Sequence, residues 1–149
     1  MRFLVVLAVF IAGILPAAAS GGLWCQLEDQ QVKISIESGV THGMGGPVFN
    51  FRGKLEILAK TVAEGFRDVE FDGDSLAQYW LDHRALKLSL YREWQDDKPF
   101  RSINLVIETQ AGDDEDTYGG NYAITVFDNG VAGDDKETKL SGEIDCGAE

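Results

Sequence analysis

Along most of this chain apolar residues recur at every second position, the period of a strand with one buried face. Val32, Ile34 and Ile36 alternate with Lys33, Ser35 and Glu37, and Phe49, Phe51, Gly53, Leu55 and Ile57 alternate with Asn50, Arg52, Lys54 and Glu56. The same pattern runs through Leu86, Leu88 and Leu90, and through Ile103, Leu105 and Ile107 within a strand expected over 100–109. It returns in a closing hairpin, with Tyr122, Ile124 and Val126 on one strand and Leu140, Gly142, Ile144 and Cys146 on the other, after a turn that begins at Asp128-Asn129-Gly130. A short strand is expected over 66–71. Gly53 on an inward face predicts a bend or a close neighbouring strand.

One stretch breaks the pattern. Leu76, Tyr79, Trp80 and His83 are spaced i, i+3, i+4, i+7, which predicts one short helix or an irregular crossover over 75–83, with Ser75 as its N-cap. The whole chain thus reads as an all-β, single antiparallel domain of about eight strands with at most one short helix.

The cysteines sharpen this picture. Cys25 lies between Leu23 and Leu27 at period two, so it projects to the apolar side of the first strand, as Cys146 does on the last. A Cys25–Cys146 bridge would fasten the two ends of the sheet from within. Pairing of first and last strands removes open edges, so a small closed barrel is favoured over a sandwich. Some 120 residues lie between the two thiols, and the chain-entropy model gives such a loop roughly 5 kcal/mol as an upper figure.

The N-terminal segment places that disulfide in a compartment. Arg2, the apolar run from Phe3 to Leu15, and Ala17-Ala18-Ala19 have the form of a secretory leader. Residues 1–19 are therefore expected to be a signal peptide and 20–149 a single β domain, periplasmic or secreted. No later run approaches the length of a spanning helix, so membrane insertion of the mature chain is not expected.

The formal net charge is −12, and loss of Arg2 moves it one unit further. Such a surface repels nucleic acid and anionic lipid, so neither is an expected partner. It suits a cationic partner or a divalent metal, set against plain solubility. Asp72 and Asp74, the run containing Asp114 and Asp116, and Asp134-Asp135 are the acidic turns that could offer oxygens to Ca²⁺, although none has EF-hand spacing. His42 and Met44 could offer soft ligands in a glycine-rich loop. Each of these is also ordinary turn composition.

Chemistry has little support. Asp82-His83 is the one adjacent acid and imidazole, and no nucleophile elbow, phosphate loop or H-E-x-x-H spacing occurs. No catalytic residue is singled out, and nothing calls for a cofactor. The aromatics Tyr79, Trp80, Tyr91, Trp94 and Phe100 crowd the middle of the chain, with Tyr91 on the outward side of its strand; they are the candidate binding residues, set against a role as a second apolar layer. Gly22-Leu23-Trp24 resembles the G-x-W entry of lipocalin-type barrels, a three-residue match that assigns no family; the competing reading is a tryptophan capping the core. The expectation is an exported binding or interaction module for an unidentified protein. The alternatives are a lipocalin-like carrier of a small apolar ligand inside the barrel, and a hydrolase or metal-dependent enzyme.

Overall fold

The computed structural model describes residues 20–41, 48–96, 99–114, 116–130 and 136–149. The expected leader, His42, Met44 and Asp134-Asp135 lie outside the described residues. Among the described residues there are nine strands: β1 (Ser20–Glu28), β2 (Val32–Thr41), β3 (Val48–Ile57), β4 (Asp68–Phe71), β5 (Leu76–Leu81), β6 (Ala85–Trp94), β7 (Arg101–Ala111), β8 (Thr117–Asp128) and β9 (Lys136–Ala148). Two 3₁₀ turns, Glu64–Phe66 and Gly73–Ser75, flank β4. No described helix is long and apolar enough to cross a membrane.

Every pairing is antiparallel, and the sheet order is β4-β3-β2-β1-β9-β8-β7-β6-β5. The first and last strands pair at the centre of this order, with Cys25 directly opposite Cys146. Their disulfide has a Cα–Cα distance of 4.0 Å, and both residues are buried. The sheet therefore curls into a nearly closed barrel. Among the described residues the ladder breaks between β4 and β5, in the middle of the chain.

The inward positions are those the alternation predicts. Leu88 and Leu90 of β6 lie opposite Ile107 and Leu105, Leu86 lies opposite the buried Thr109, and all three leucines have essentially no exposure. Burial of this kind is the main force holding a sheet of this size closed. Gly53 sits opposite Phe71, and a Cβ there would lie 3.3 Å from the Phe71 Cβ, which is the close approach expected of an inward glycine.

One barrel end is closed by the β3–β4 connection, where Val62 and Phe66 are buried. Trp94 meets Phe66 edge-on with ring centroids 5.1 Å apart. The guanidinium carbons of Arg92 and Arg101 each lie 5.5 Å from the Trp94 ring centre. Arg92 also crosses the break, donating from Nη1 to the main-chain carbonyl of Glu70 at 2.5 Å.

Four expectations are corrected. The stretch 75–83, expected as a short helix or an irregular crossover, holds strand β5; Ser75 does not cap a helix, since Asp72 is the N-cap of the Gly73–Ser75 turn and accepts from the N–H of Asp74 and Ser75. The helical spacing arises by chance on an edge strand whose register shifts between Leu76 and Gln78, so period two is lost there. Phe49 faces outward, because a bulge opposite Ser38, with Asn50 at φ 52°, turns it over Gly39. Phe66 belongs to a 3₁₀ turn that precedes a shorter strand. Trp24 does not cap the core: it is 40% exposed and lies flat over Gly147 on the outer surface.

Candidate functional site

The outer surface of the barrel divides into two unlike halves. On β1–β4 the outward positions carry mixed charge, with Lys33, Lys54, Glu28 and Glu56 around a cleft of about 450 Å³. Lys33 pairs with Glu28 at 3.0 Å across the surface. Such exposed pairs contribute little and leave the side chains committed to each other and to water.

On β5–β9 the outward rows read differently. Ser89 of β6 lies opposite Val106, Val106 opposite Ala123, and Ala123 opposite Ser141. This row is small and uncharged across four strands. Beside it run Tyr91, Asn104, Thr125 and Lys139 in one direction and Lys87, Glu108, Asn121 and Glu143 in the other. A shallow cleft of about 540 Å³ opens where the row meets β5, between Gln78, Trp80, Ser89 and Val106. The Lys87 ammonium at its rim is held by Glu108 at 3.2 Å.

The five aromatics singled out from the sequence do not form one patch. Trp80 lies opposite Lys87 on the outer face and is 59% exposed. Tyr91 shares that face farther along β6, and its hydroxyl donates to Glu93 Oε2 at 3.0 Å. Burial of the ring, then the bond to Glu93, raises its pKa above the usual phenol value. Tyr79 pairs with Leu88 and so belongs to the inner face, yet it is 38% exposed because β5 borders the break. Phe100, in the β6–β7 connection, packs obliquely on Phe127 of β8, with centroids 5.9 Å apart. Trp94 is half-buried against Phe66 and belongs to the barrel plug. Trp80 and Tyr91 thus remain as outward aromatics on one sheet face, and the uncharged row between β6 and β9 joins them. That row was missed in the sequence because its members come from four separate strands.

The acidic candidates are structural or dispersed. Asp72 accepts from Ser75 Oγ and from two backbone N–H groups, and these bonds, the Ser75 hydroxyl first, lower its pKa. Asp74 is in the same turn. Asp114 and Asp116 belong to the β7–β8 loop, where the Asp114 carbonyl accepts from Thr117 and the Asp116 carbonyl from the Ala148 N–H. Among the described residues no three His, Cys, Asp or Glu side chains are grouped as a metal site. Asp82 is a turn former: its carboxylate accepts from the N–H of Arg84 and Ala85, both at 2.8 Å, and those bonds lower its pKa. Its neighbour His83 is exposed.

A smaller cleft at the other barrel end is bordered by Leu81, Asp82, Asp116, Tyr118 and Glu149. The Tyr118 hydroxyl donates to the Asp82 carbonyl at 2.9 Å, tying β8 to the β5–β6 turn across that mouth. The side chains there offer negative charge, one phenol, the Thr41 hydroxyl and the exposed His83 imidazole. The Cys25–Cys146 bridge is a bond of the kind that persists in oxidising compartments.

No protein-family model, curated protein or solved structure matches this chain.

Proposed function

We propose that this protein is an exported, non-enzymatic binding module that recognises a basic partner through the outer face of β5–β9. The observation that carries the reading is the outward pair Trp80 and Tyr91 on either side of an uncharged row, on a chain whose net charge is −12. Exposed tryptophan and tyrosine around a neutral centre are the usual anchors of a protein interface, and a charged rim selects the partner by sign. The leader-like first nineteen residues and the buried disulfide support export.

A carrier of an apolar ligand would need a hollow centre. Leu86, Leu88, Leu90, Ile103, Leu105 and Ile107 occupy the barrel at 0–1% exposure, which weighs against that alternative. A hydrolytic or metal-dependent role draws no support from the acidic turns, whose described members serve as backbone acceptors or stand apart.

Chemical cross-linking in the source compartment, followed by capture of the wild type and of Trp80→Ala, tests the proposal. A basic protein cross-linked to the wild type and lost in the variant, with unchanged thermal unfolding, is the expected result. Equal recovery by both proteins removes Trp80 from the interface, and recovery of acidic proteins alone overturns the partner class. Trp94→Ala is unsuitable for this purpose because it would open the barrel plug.

A further inference from the structure

The strand β5 is an edge without the usual protection. Edge strands expose unpaired N–H and C=O groups, and proteins normally guard them with charge, proline or cover. Leu76, Ala77, Gln78, Tyr79, Trp80 and Leu81 include no charge and no proline, and the middle four are exposed. Among the described residues no backbone hydrogen bond joins this strand to β3 or β4, the elements across the break. Tyr79 shows that solvent enters there, since it faces the inner side and still keeps 38% of its surface. The β4 edge differs: Arg92 occupies the Glu70 carbonyl, and Asp68 and Glu70 put charge on the strand.

The surroundings state which strand would fit. Asp72 and Asp74 precede β5 and Asp82 follows it; Arg84 is the one Lys or Arg in the two flanking turns, 72–75 and 82–84. Antiparallel pairing of β5 with β5 of a second copy would bring Asp74 of one chain towards Asp82 of the other, between two chains of net charge −12. Like charges facing across strands are destabilising, so self-pairing is disfavoured. An extended segment with an uncharged centre and basic ends meets the same edge with opposite charge.

We infer that β5 takes up an extended, basic-ended peptide segment of the partner as an added antiparallel strand along Gln78–Leu81. The register shift at Ala77 confines regular pairing to those four residues. Main-chain hydrogen bonds would supply the affinity, and the exposed Tyr79 and Trp80, on opposite faces, would grip alternate side chains. This inference rests on the basic-partner reading above and names its mode of contact.

The test uses three short synthetic peptides: alternating valine and threonine with a lysine at each end, the same peptide fully N-methylated, and the same sequence with glutamate ends. Titration calorimetry and amide hydrogen exchange on the disulfide-bonded protein read the outcome. The lysine-ended peptide should bind and slow exchange within Gln78–Leu81, while the methylated and glutamate-ended forms bind about tenfold more weakly or worse. Trp80→Lys should abolish binding without altering unfolding, and Asp74→Asn should weaken it. Equal binding of the methylated peptide, or protection on another strand, overturns strand addition and leaves the binding-module reading standing. Failure of all three peptides also overturns it, and the cross-linking experiment then decides the broader reading by itself. Concentration-dependent dimers that protect the same amides would make a second copy the occupant and overturn the basic segment.

Discussion

Tyr122 lays its ring over Gly142 and donates its hydroxyl to Asp29 Oδ2 at 3.0 Å, so one side chain of β8 passes beneath β9 and holds the turn between β1 and β2. The geometry has a reason in the ladder. Pairing of β1 with β9 covers only four residue pairs and ends at Gln26 and Asp145. Beyond that point no rung joins the two strands, and the phenol closes the gap from inside.

Tyr122→Phe should cost about 1 kcal/mol, the usual net worth of a hydrogen bond, measured by urea unfolding at neutral pH. The pH dependence adds two signatures. Burial, then the bond to Asp29, raises the Tyr122 pKa well above its ordinary 10.0. Its contribution is therefore complete below that value and is lost as pH rises beyond it, where the unfolded chain ionises first. Burial pushes the Asp29 carboxyl up, but bonds from the N–H groups of Val32 and Gln31 and from Tyr122 outweigh it and leave the pKa lowered. That contribution is present above 3.8 and disappears as pH falls through the lowered value. The phenylalanine variant should lose less stability than wild type on both limbs.

Gly142→Ala should destabilise by about 1–3 kcal/mol, because the added carbon would stand 2.7 Å from the Tyr122 ring. In a Tyr122→Leu background most of that penalty should vanish. A double-mutant cycle from urea melts gives the coupling directly, and additive effects would contradict the contact.

Replacing both cysteines by alanine should cost about 2–4 kcal/mol, given a sequence separation of 121 residues between the bridged positions. Both residues are buried, so reductant should act only as the barrel opens. Alkylation of the native protein without reductant should add no mass, and labelling at Cys25 or Cys146 would refute the bridge.

Arg92→Met should free the Glu70 carbonyl and loosen the break in the ladder. The expected readout is faster amide exchange across Asp68–Phe71 with a stability loss of about 1 kcal/mol. Unchanged exchange there would mean that pairing with β3 and the Phe66–Trp94 contact hold β4 in place without Arg92.

Much of this architecture is legible in the residues, and the exceptions have physical causes. Cys25 and Cys146 could be paired from sequence because each sits at period two on a strand buried on one side. Gly53 announced a close neighbour for the same reason. The period fails at β5, where exposure on both faces leaves no burial contrast, and at Phe49, where a bulge reverses the face. The position of the break was not legible, since it depends on β4 being too short to cover β3 and on which ends meet. Among the candidate binding residues, Trp80 and Tyr91 face outward together, but Trp94 could not be told from them. Its burial comes from Phe66, brought against it by the β3–β4 connection.

Because Glu149 N–H donates to the Gly22 carbonyl at 2.9 Å beside the disulfide, the covalent ends of the described domain meet inside the sheet, and the gap in the sheet falls inside the chain. A circularly permuted gene, joined across that meeting point and reopened within Asp72–Ser75, would encode a plain meander in which each hydrogen-bonded neighbour is also the next strand in sequence. In such a molecule a peptide link would do the work now done by sulfur.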